Sequence, residues 1–279
     1  MSVLHYQIIP VTAFAQNCSL LWCDATREAA VIDPGGDLPR IEQAAQALGL
    51  KPGQIWLTHG HIDHAGGAAE LAERWQIPIV GPHPADQFWI DALAEQSRLF
   101  GLPPARAFTP TRWLHDGDTV QLGRCELAVR HCPGHTPGHV IFHSPEARLA
   151  FVGDVLFAGS VGRTDFPQGS HAQLIDSITR QLWPLGDDTA FVPGHGPGST
   201  FGHERESVRR TQRVQASLAA AEVRKVRRRD EDEDGGHRRD REQEGNESSF
   251  RASAHPGDDG EVKEPKGEDT PQRSFDFYA

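Results

Sequence analysis

No stretch of this 279-residue chain strings together the roughly 18 apolar residues that a bilayer-spanning helix needs, so no membrane span is expected. The opening Met1-Ser2-Val3-Leu4-His5-Tyr6 has neither a basic segment nor an apolar core. A secretory signal is therefore not expected, and the reading is cytoplasmic. Cysteine is scarce, four residues in all. Cys18, Cys23, Cys125 and Cys132 each lie in or beside a strand-like apolar run, as small buried thiols do in a reducing compartment. Positive charge is also short: 28 Lys and Arg against 39 Asp and Glu leave a formal charge of −11. That balance argues against a nucleic-acid partner.

In the last 74 residues bulky apolar side chains are sparse. Residues 206–279 hold 15 Lys or Arg and 18 Asp or Glu, with a basic block, Arg227 to Arg229, set against an acidic one, Asp230 to Asp234. Such a segment cannot bury enough surface to offset its ordering entropy, so a charged, disordered tail is expected. Val208 to Val226 is a candidate helix before that break. The Arg/Asp/Glu/Gly-rich composition also resembles translation of GC-rich DNA in another frame, and the tail is expected to be dispensable or a frameshift product. Residues 1–205 contain all six tryptophans and are long enough for one substantial core.

What is present is concentrated in Thr58-His59-Gly60-His61-Ile62-Asp63-His64, which follows the apolar run Gln54-Ile55-Trp56-Leu57. His59 and His61 share a face if the backbone there is extended. Asp63 and His64 then project elsewhere as the chain turns. Neutral imidazole and carboxylate suit zinc, iron or manganese, and one loop can thus serve two neighbouring ions. Three further segments repeat one format, a buried apolar run that ends in Gly and a ligand: Leu127 to Pro133-Gly134-His135, Leu149 to Gly153-Asp154, and Ala190 to Pro193-Gly194-His195. Glycine permits close backbone approach and positive φ at such a turn. His5, His83, His115, His131, His143, His171 and His203 lack this context and are not expected to be ligands. His139, in Thr136-Pro137-Gly138-His139, is read as structural or supporting, and Cys132 as a packing residue.

These segments, with Val31-Ile32-Asp33-Pro34-Gly35-Gly36, resemble the metallo-β-lactamase superfamily. Gln7 to Cys18, Gly162-Arg163-Thr164-Asp165-Phe166-Pro167 and Pro193 to Thr200 are similar to its short bacterial glyoxalase II (hydroxyacylglutathione hydrolase) group. The similarity covers about residues 1 to 205. It implies an α/β fold, the αββα sandwich, with two divalent metal ions: His59, His61 and His135 on one, Asp63, His64 and His195 on the other, and Asp154 bridging. Zinc is expected first, with iron or manganese as alternatives. Asp33 would brace the ligand loop by hydrogen bonds; as a residue before Pro-Gly it equally fits a plain turn.

Two ions sharing a water lower its pKa and hold a hydroxide as nucleophile. A thioester suits such a site because a thiolate leaves without strong protonation. The residues themselves show metal-assisted hydrolysis of an electrophilic carbonyl or phosphoryl group. The resemblance implies a glutathione thioester, S-D-lactoylglutathione, giving D-lactate and glutathione, with Asp63 and Asp154 as the catalytic carboxylates. Arg163 could grip a glutathione carboxylate or form a structural pair with Asp165. The alternatives are a mononuclear iron persulfide dioxygenase, which shares the Gly162 to Phe166 pattern but departs from Pro193-Gly194-His195-Gly196, and a hydrolase of another small ester or thioester. Oligomeric state is not legible. The architecture expected from periodicity has strands at Leu4–Pro10, Cys18–Cys23 and Ala29–Ile32, and strands ending at Thr58, His131, Gly153 and Val192. Helices are expected at Leu38–Leu48, Gly67–Gln76, Phe88–Leu99 and Gln173–Leu182.

Overall fold

The computed structural model describes residues 3–207; the expectations for the tail and for a helix over Val208 to Val226 fall outside the described residues. Two sheets form the centre. The first runs in the order β1 (Leu4–Val11), β2 (Gln16–Cys23), β3 (Glu28–Ile32), β4 (Lys51–Trp56) and β5 (Ile79–Val80). The first three strands are antiparallel and the last two pairings parallel. The helices between these strands are α1 (Leu38–Ala47), α2 (Ile62–Ala65) and α3 (Ala68–Trp75), and α4 (Gln87–Asp91) and α5 (Leu93–Phe100) follow β5. The second sheet is built from β6 (Thr119–Leu122), β7 (Cys125–His131), β8 (Val140–Ser144), β9 (Leu149–Gly153), β12 (Ala190–Pro193) and β13 (Ser199–Thr200). Its order is β13-β12-β9-β8-β7-β6. A small hairpin, β10 (Leu156–Phe157) and β11 (Ser160–Val161), and helix α6 (His171–Ser177) separate β9 from β12.

The apolar runs are continuous because most central strands are buried on both faces. Alternate residues go to different cores. Along β2, Cys18 and Leu20 face the helices α1, α3 and α5, while Leu21 and Cys23 face the other sheet. Along β9, Leu149 and Phe151 face the first sheet, while Ala150 and Val152 face α6 with Leu174 and Ile178. Trp56 of β4 packs against Phe142 of β8 across the sandwich, ring centroids 5.4 Å apart and planes tilted by 31°. Helix, sheet, sheet, helix is the αββα order expected.

Most elements lie where periodicity put them, within two residues at each end. Two helices differ. Phe88–Leu99 is broken at Ala92 into α4 and α5. The buried side chain of Gln96 fills the break, donating from Nε2 to the Trp89 carbonyl (2.8 Å) and accepting from the Ile62 N–H (3.0 Å). The last helix ends at Ser177, and residues Ile178–Leu182 continue as one wide π turn. Helix α2 and the strands β5, β6, β8, β10, β11 and β13 have no counterpart among the elements expected from the sequence.

Candidate metal centre

The ligand loops sit at one rim because four strand ends meet there. β4 runs into Leu57-Thr58-His59, β7 into the 132–139 loop, β9 into Asp154 and β12 into Gly194-His195. Residues 59–61 stay out of any helix, and His61 has φ −69° and ψ 151°, extended backbone that points His59 and His61 the same way. His61 then caps the single turn of α2, its carbonyl accepting from His64 (3.1 Å) and Ala65 (2.8 Å). A helical turn rotates successive residues by about 100°, which swings Asp63 and His64 toward His195.

Two groups of donors result. In the first, His61 Nδ1 lies 3.1 Å from His59 Nε2 and 3.0 Å from His135 Nε2. In the second, Asp63 Oδ2 lies 3.1 Å from His195 Nε2 and 3.6 Å from His64 Nε2. Each trio has its donor atoms within 4.8 Å of one another. Asp154 stands between them: Oδ1 is 3.3 Å from His64 Nε2, and Oδ2 is 3.5 Å from His135 Nε2 and 3.7 Å from His195 Nε2. Gly194 makes room for this carboxylate, since a Cβ there would sit 2.0 Å from Asp154 Oδ1. Gly153, at φ 49°, turns β9 toward the centre.

The outer nitrogens of four imidazoles set their tautomers. A carbonyl only accepts, so Nδ1 carries the proton in His135, bonded to the Arg163 carbonyl (2.8 Å), and in His195, bonded to the Phe14 carbonyl (3.1 Å). His64 Nδ1 donates to Asp33 Oδ2 (2.9 Å). The Thr58 hydroxyl donates to the same oxygen (2.6 Å) and accepts from His59 Nδ1 (2.9 Å). In its neutral form each of these rings therefore turns a lone pair inward, the form a metal ligand needs. His61 uses Nδ1 instead, and its buried Nε2 has no partner, the ring lying against Trp89 and Phe166 at 4.5 and 4.8 Å. His64 Nε2 and Asp154 Oδ1 are likewise buried without a hydrogen bond. Inward lone pairs, orphaned buried atoms and a carboxylate between two trios fit a pair of divalent cations. Asp33, His59 and His64 also converge, but Asp33 is already occupied by Thr58 and His64.

Electrostatics separates the two groups. Burial, reinforced by neighbouring imidazoles, pushes His59 and His61 well below the usual histidine range, and burial lowers His135. In the second group burial works the same way, but Asp154 and Asp63 outweigh it and raise His64. His195 is raised against burial by its hydrogen bond to Asp63 and by Asp154.

Of the other predicted residues, Arg163 pairs bidentately with Asp165 (3.0 and 2.7 Å) and lies over the Phe166 ring at 4.8 Å. His139 stacks on His59 (4.6 Å, 20°), and its Nε2 accepts from the Asp154 N–H at 3.0 Å. Cys132 is buried among Ile141, Ala150 and Leu174. None of the seven histidines set aside joins a convergent donor group among the described residues. Asp86 was missed. Fully buried, it accepts from Gly60 N–H (2.9 Å), Thr136 Oγ1 (2.8 Å) and Gly138 N–H (2.5 Å), tying the His59 loop to the His135 loop. Its only sequence signal is an acid just after Pro84, which reads as a helix start.

Sheets that deliver five imidazoles and two carboxylates to one rim define a metallo-hydrolase type of scaffold. The chain belongs to the metallo-beta-lactamase superfamily, whose model matches residues 11–195. It is 46% identical over 205 residues to hydroxyacylglutathione hydrolase GloC of Haemophilus influenzae, covering 73% of this chain and 96% of that protein. Among solved structures it is similar to TTHA1623 in a di-iron-bound form (36% identity, TM-score 0.66), covering 72% of this chain and 98% of that one. It is also similar to the BLEG-1 B3 metallo-beta-lactamase (34% identity, TM-score 0.67; 72% and 97% covered).

Proposed function

We propose that this domain is a metal-dependent thioester hydrolase of glyoxalase II type that cleaves S-D-lactoylglutathione to D-lactate and glutathione. The observation that carries the two-metal chemistry is the carboxylate of Asp154 between the two donor groups, Oδ1 facing His64 of the second and Oδ2 lying between His135 of the first and His195 of the second. The substrate rests on the likeness to the Haemophilus influenzae hydroxyacylglutathione hydrolase.

His59, His61 and His135 would hold one ion and Asp63, His64 and His195 the other, with Asp154 between. Two such ions would supply an acidified water and a Lewis acid for the thioester carbonyl. Zinc is the first ion to test, with iron and manganese as alternatives. Asp63 turns Oδ2 to His195 and His64, and we assign its second oxygen the proton of the attacking water. Thr58, Asp33 and the carbonyls of Arg163 and Phe14 hold the imidazole protons outward. Trp89 and Phe166 exclude water behind His61. The glutathione thiol needs no general acid, because a thiolate is an adequate leaving group at neutral pH. For Arg163 to grip a glutathione carboxylate it would have to leave Asp165; its main-chain carbonyl contributes to the site either way.

Metal analysis combined with S-D-lactoylglutathione hydrolysis tests the reading. Two ions per chain with hydrolysis support it. One iron with persulfide-dependent oxygen uptake would replace it with a dioxygenase. His195→Ala should abolish hydrolysis, and full activity in that variant would sink the two-metal assignment.

A further inference from the structure

The rim opposite the metal centre carries a second reactive arrangement. Cys23 ends β2 in one sheet and Cys125 opens β7 in the other, and both face the core between the sheets. A Cβ at Gly123, two residues before Cys125, would lie 3.1 Å from Cys23 Cβ, and Cys125 and Cys23 are buried in the same core cluster. The turn after Cys23, closed by the Arg27 N–H to the Cys23 carbonyl at 2.9 Å, wraps its sulfur. The backbone of Ala25, Thr26 and Arg124 and the Thr26 hydroxyl surround it, and each favours its thiolate. Such a ring of donors is an anion-binding nest.

The packing is built around this pocket. The two-residue turn from β6 to β7 places Gly123 at φ 59°, and a Cβ there would meet Thr26 Oγ1 at 1.9 Å and Cys23 Cβ at 3.1 Å. The cover is thin: Asp24 to Arg27 and Arg124 are all exposed. Cys18 and Cys132 instead lie deep in the other two cores.

From this geometry we propose that Cys23 and Cys125 form a dithiol–disulfide pair that reversibly staples the two sheets. Cys23 is the attacking sulfur. Burial opposes its thiolate, but the four donors outweigh it and bring Cys23 down to about 6. Burial, then the neighbouring Cys23, pushes Cys125 up to about 12, so Cys23 is the first of the pair to ionise. The oxidant is a low-molecular-weight disulfide of the glutathione class. The Cys23 thiolate attacks one of its sulfurs, forming a mixed disulfide and expelling one thiolate. Cys125 loses its proton to solvent, attacks the Cys23 sulfur and expels the second thiol. Two electrons leave the protein pair and two small thiols are released. β2 spans on the order of 20 Å between Cys23 and Gln16 at the metal centre, so the pair acts on the fold and not on the ligands.

The test treats the full chain, folded, with glutathione disulfide, then alkylates free thiols and maps them by mass spectrometry. The expected result is loss of two of the four thiols, with a Cys23–Cys125 cross-link and Cys18 and Cys132 still free. Cys125→Ser should stop at a glutathione adduct on Cys23, and Cys23→Ser should take up none; the wild-type map stands whether or not either variant folds. Four free thiols after treatment would overturn the proposal. So would a bond involving Cys18 or Cys132, or a wild-type chain that stops at the glutathione adduct.

Discussion

The two donor trios are neighbours built on opposite principles. His59, His61 and His135 are three imidazoles in a buried pocket, and burial keeps them neutral. Asp63, His64 and His195 mix acid with base nearer the surface, and the acids make those imidazoles more basic. Their supports differ too. The first trio is set largely by main-chain geometry, with Asp86 holding Gly60 and the 136–138 loop; the second leans on Asp33, which bonds His64 directly. The first group is thus prepared for a metal by shape and the second by charge.

The sharpest way to break this comparison is to remove the residue both groups share. Asp154→Asn keeps the shape and removes the charge between the trios, and should lower kcat by ~10³ or more, as expected when a group central to metal-assisted attack is lost. Metal analysis should show the second ion lost more completely than the first. Equal loss of both would mean that the trios are not independent.

Next in size is the support of the first trio. Burial raises Asp86 to about 6 despite three donors. Its folded pKa therefore lies above its unfolded value. The stability it contributes is full below about pH 4 and is lost as pH rises through about 6, a span of about 3 kcal/mol by linkage. Asp86→Asn removes this titration, although its amide meets three donors with one acceptor. The variant should be less stable than wild type in acid, and the gap should narrow toward pH 7. Denaturant titrations at several pH values measure this; a gap independent of pH would show that Asp86 does not titrate in this range.

Asp33 supports the second trio, and its loss should be milder. Asp33→Asn should weaken binding at the second group by ~10–100-fold, the usual cost of losing a partner to a ligating histidine, with a smaller effect on the first group through Thr58. Competition against a chelator would read both, and equal weakening would contradict the division of labour.

How much of this was legible depended on whether a residue's partners were near it in sequence. His59 to His64, His135, Asp154 and His195 stood out because a buried strand followed by glycine and a ligand is a local pattern. Strands with both faces buried were legible as unbroken apolar runs. Asp86 was not, because its three partners lie 26, 50 and 52 residues away. The carbonyls of Phe14 and Arg163 carry no side-chain signature at all. The break at Ala92 was hidden because its remedy is Gln96, whose long-range bond to Ile62 is a tertiary fact. β8 was missed although its five residues are all buried.

The finest distinction between the trios is in protons. An imidazole raised above its usual pKa holds its second proton to higher pH and must lose that proton before it can bind a cation. Loading the second trio should therefore release protons, about one per raised histidine at most, while loading the first should release almost none. The second trio's affinity should fall about tenfold for each unit the pH is lowered, per proton displaced, and the first trio's should stay nearly flat until the pH drops below its depressed values. Calorimetric zinc titrations of metal-free protein, run in two buffers of different ionisation enthalpy, count the protons. His195→Ala should lower the count at the second step and leave the first unchanged; an equal count at both steps would mean that the carboxylates of Asp63 and Asp154 do not set the charge of the imidazoles beside them.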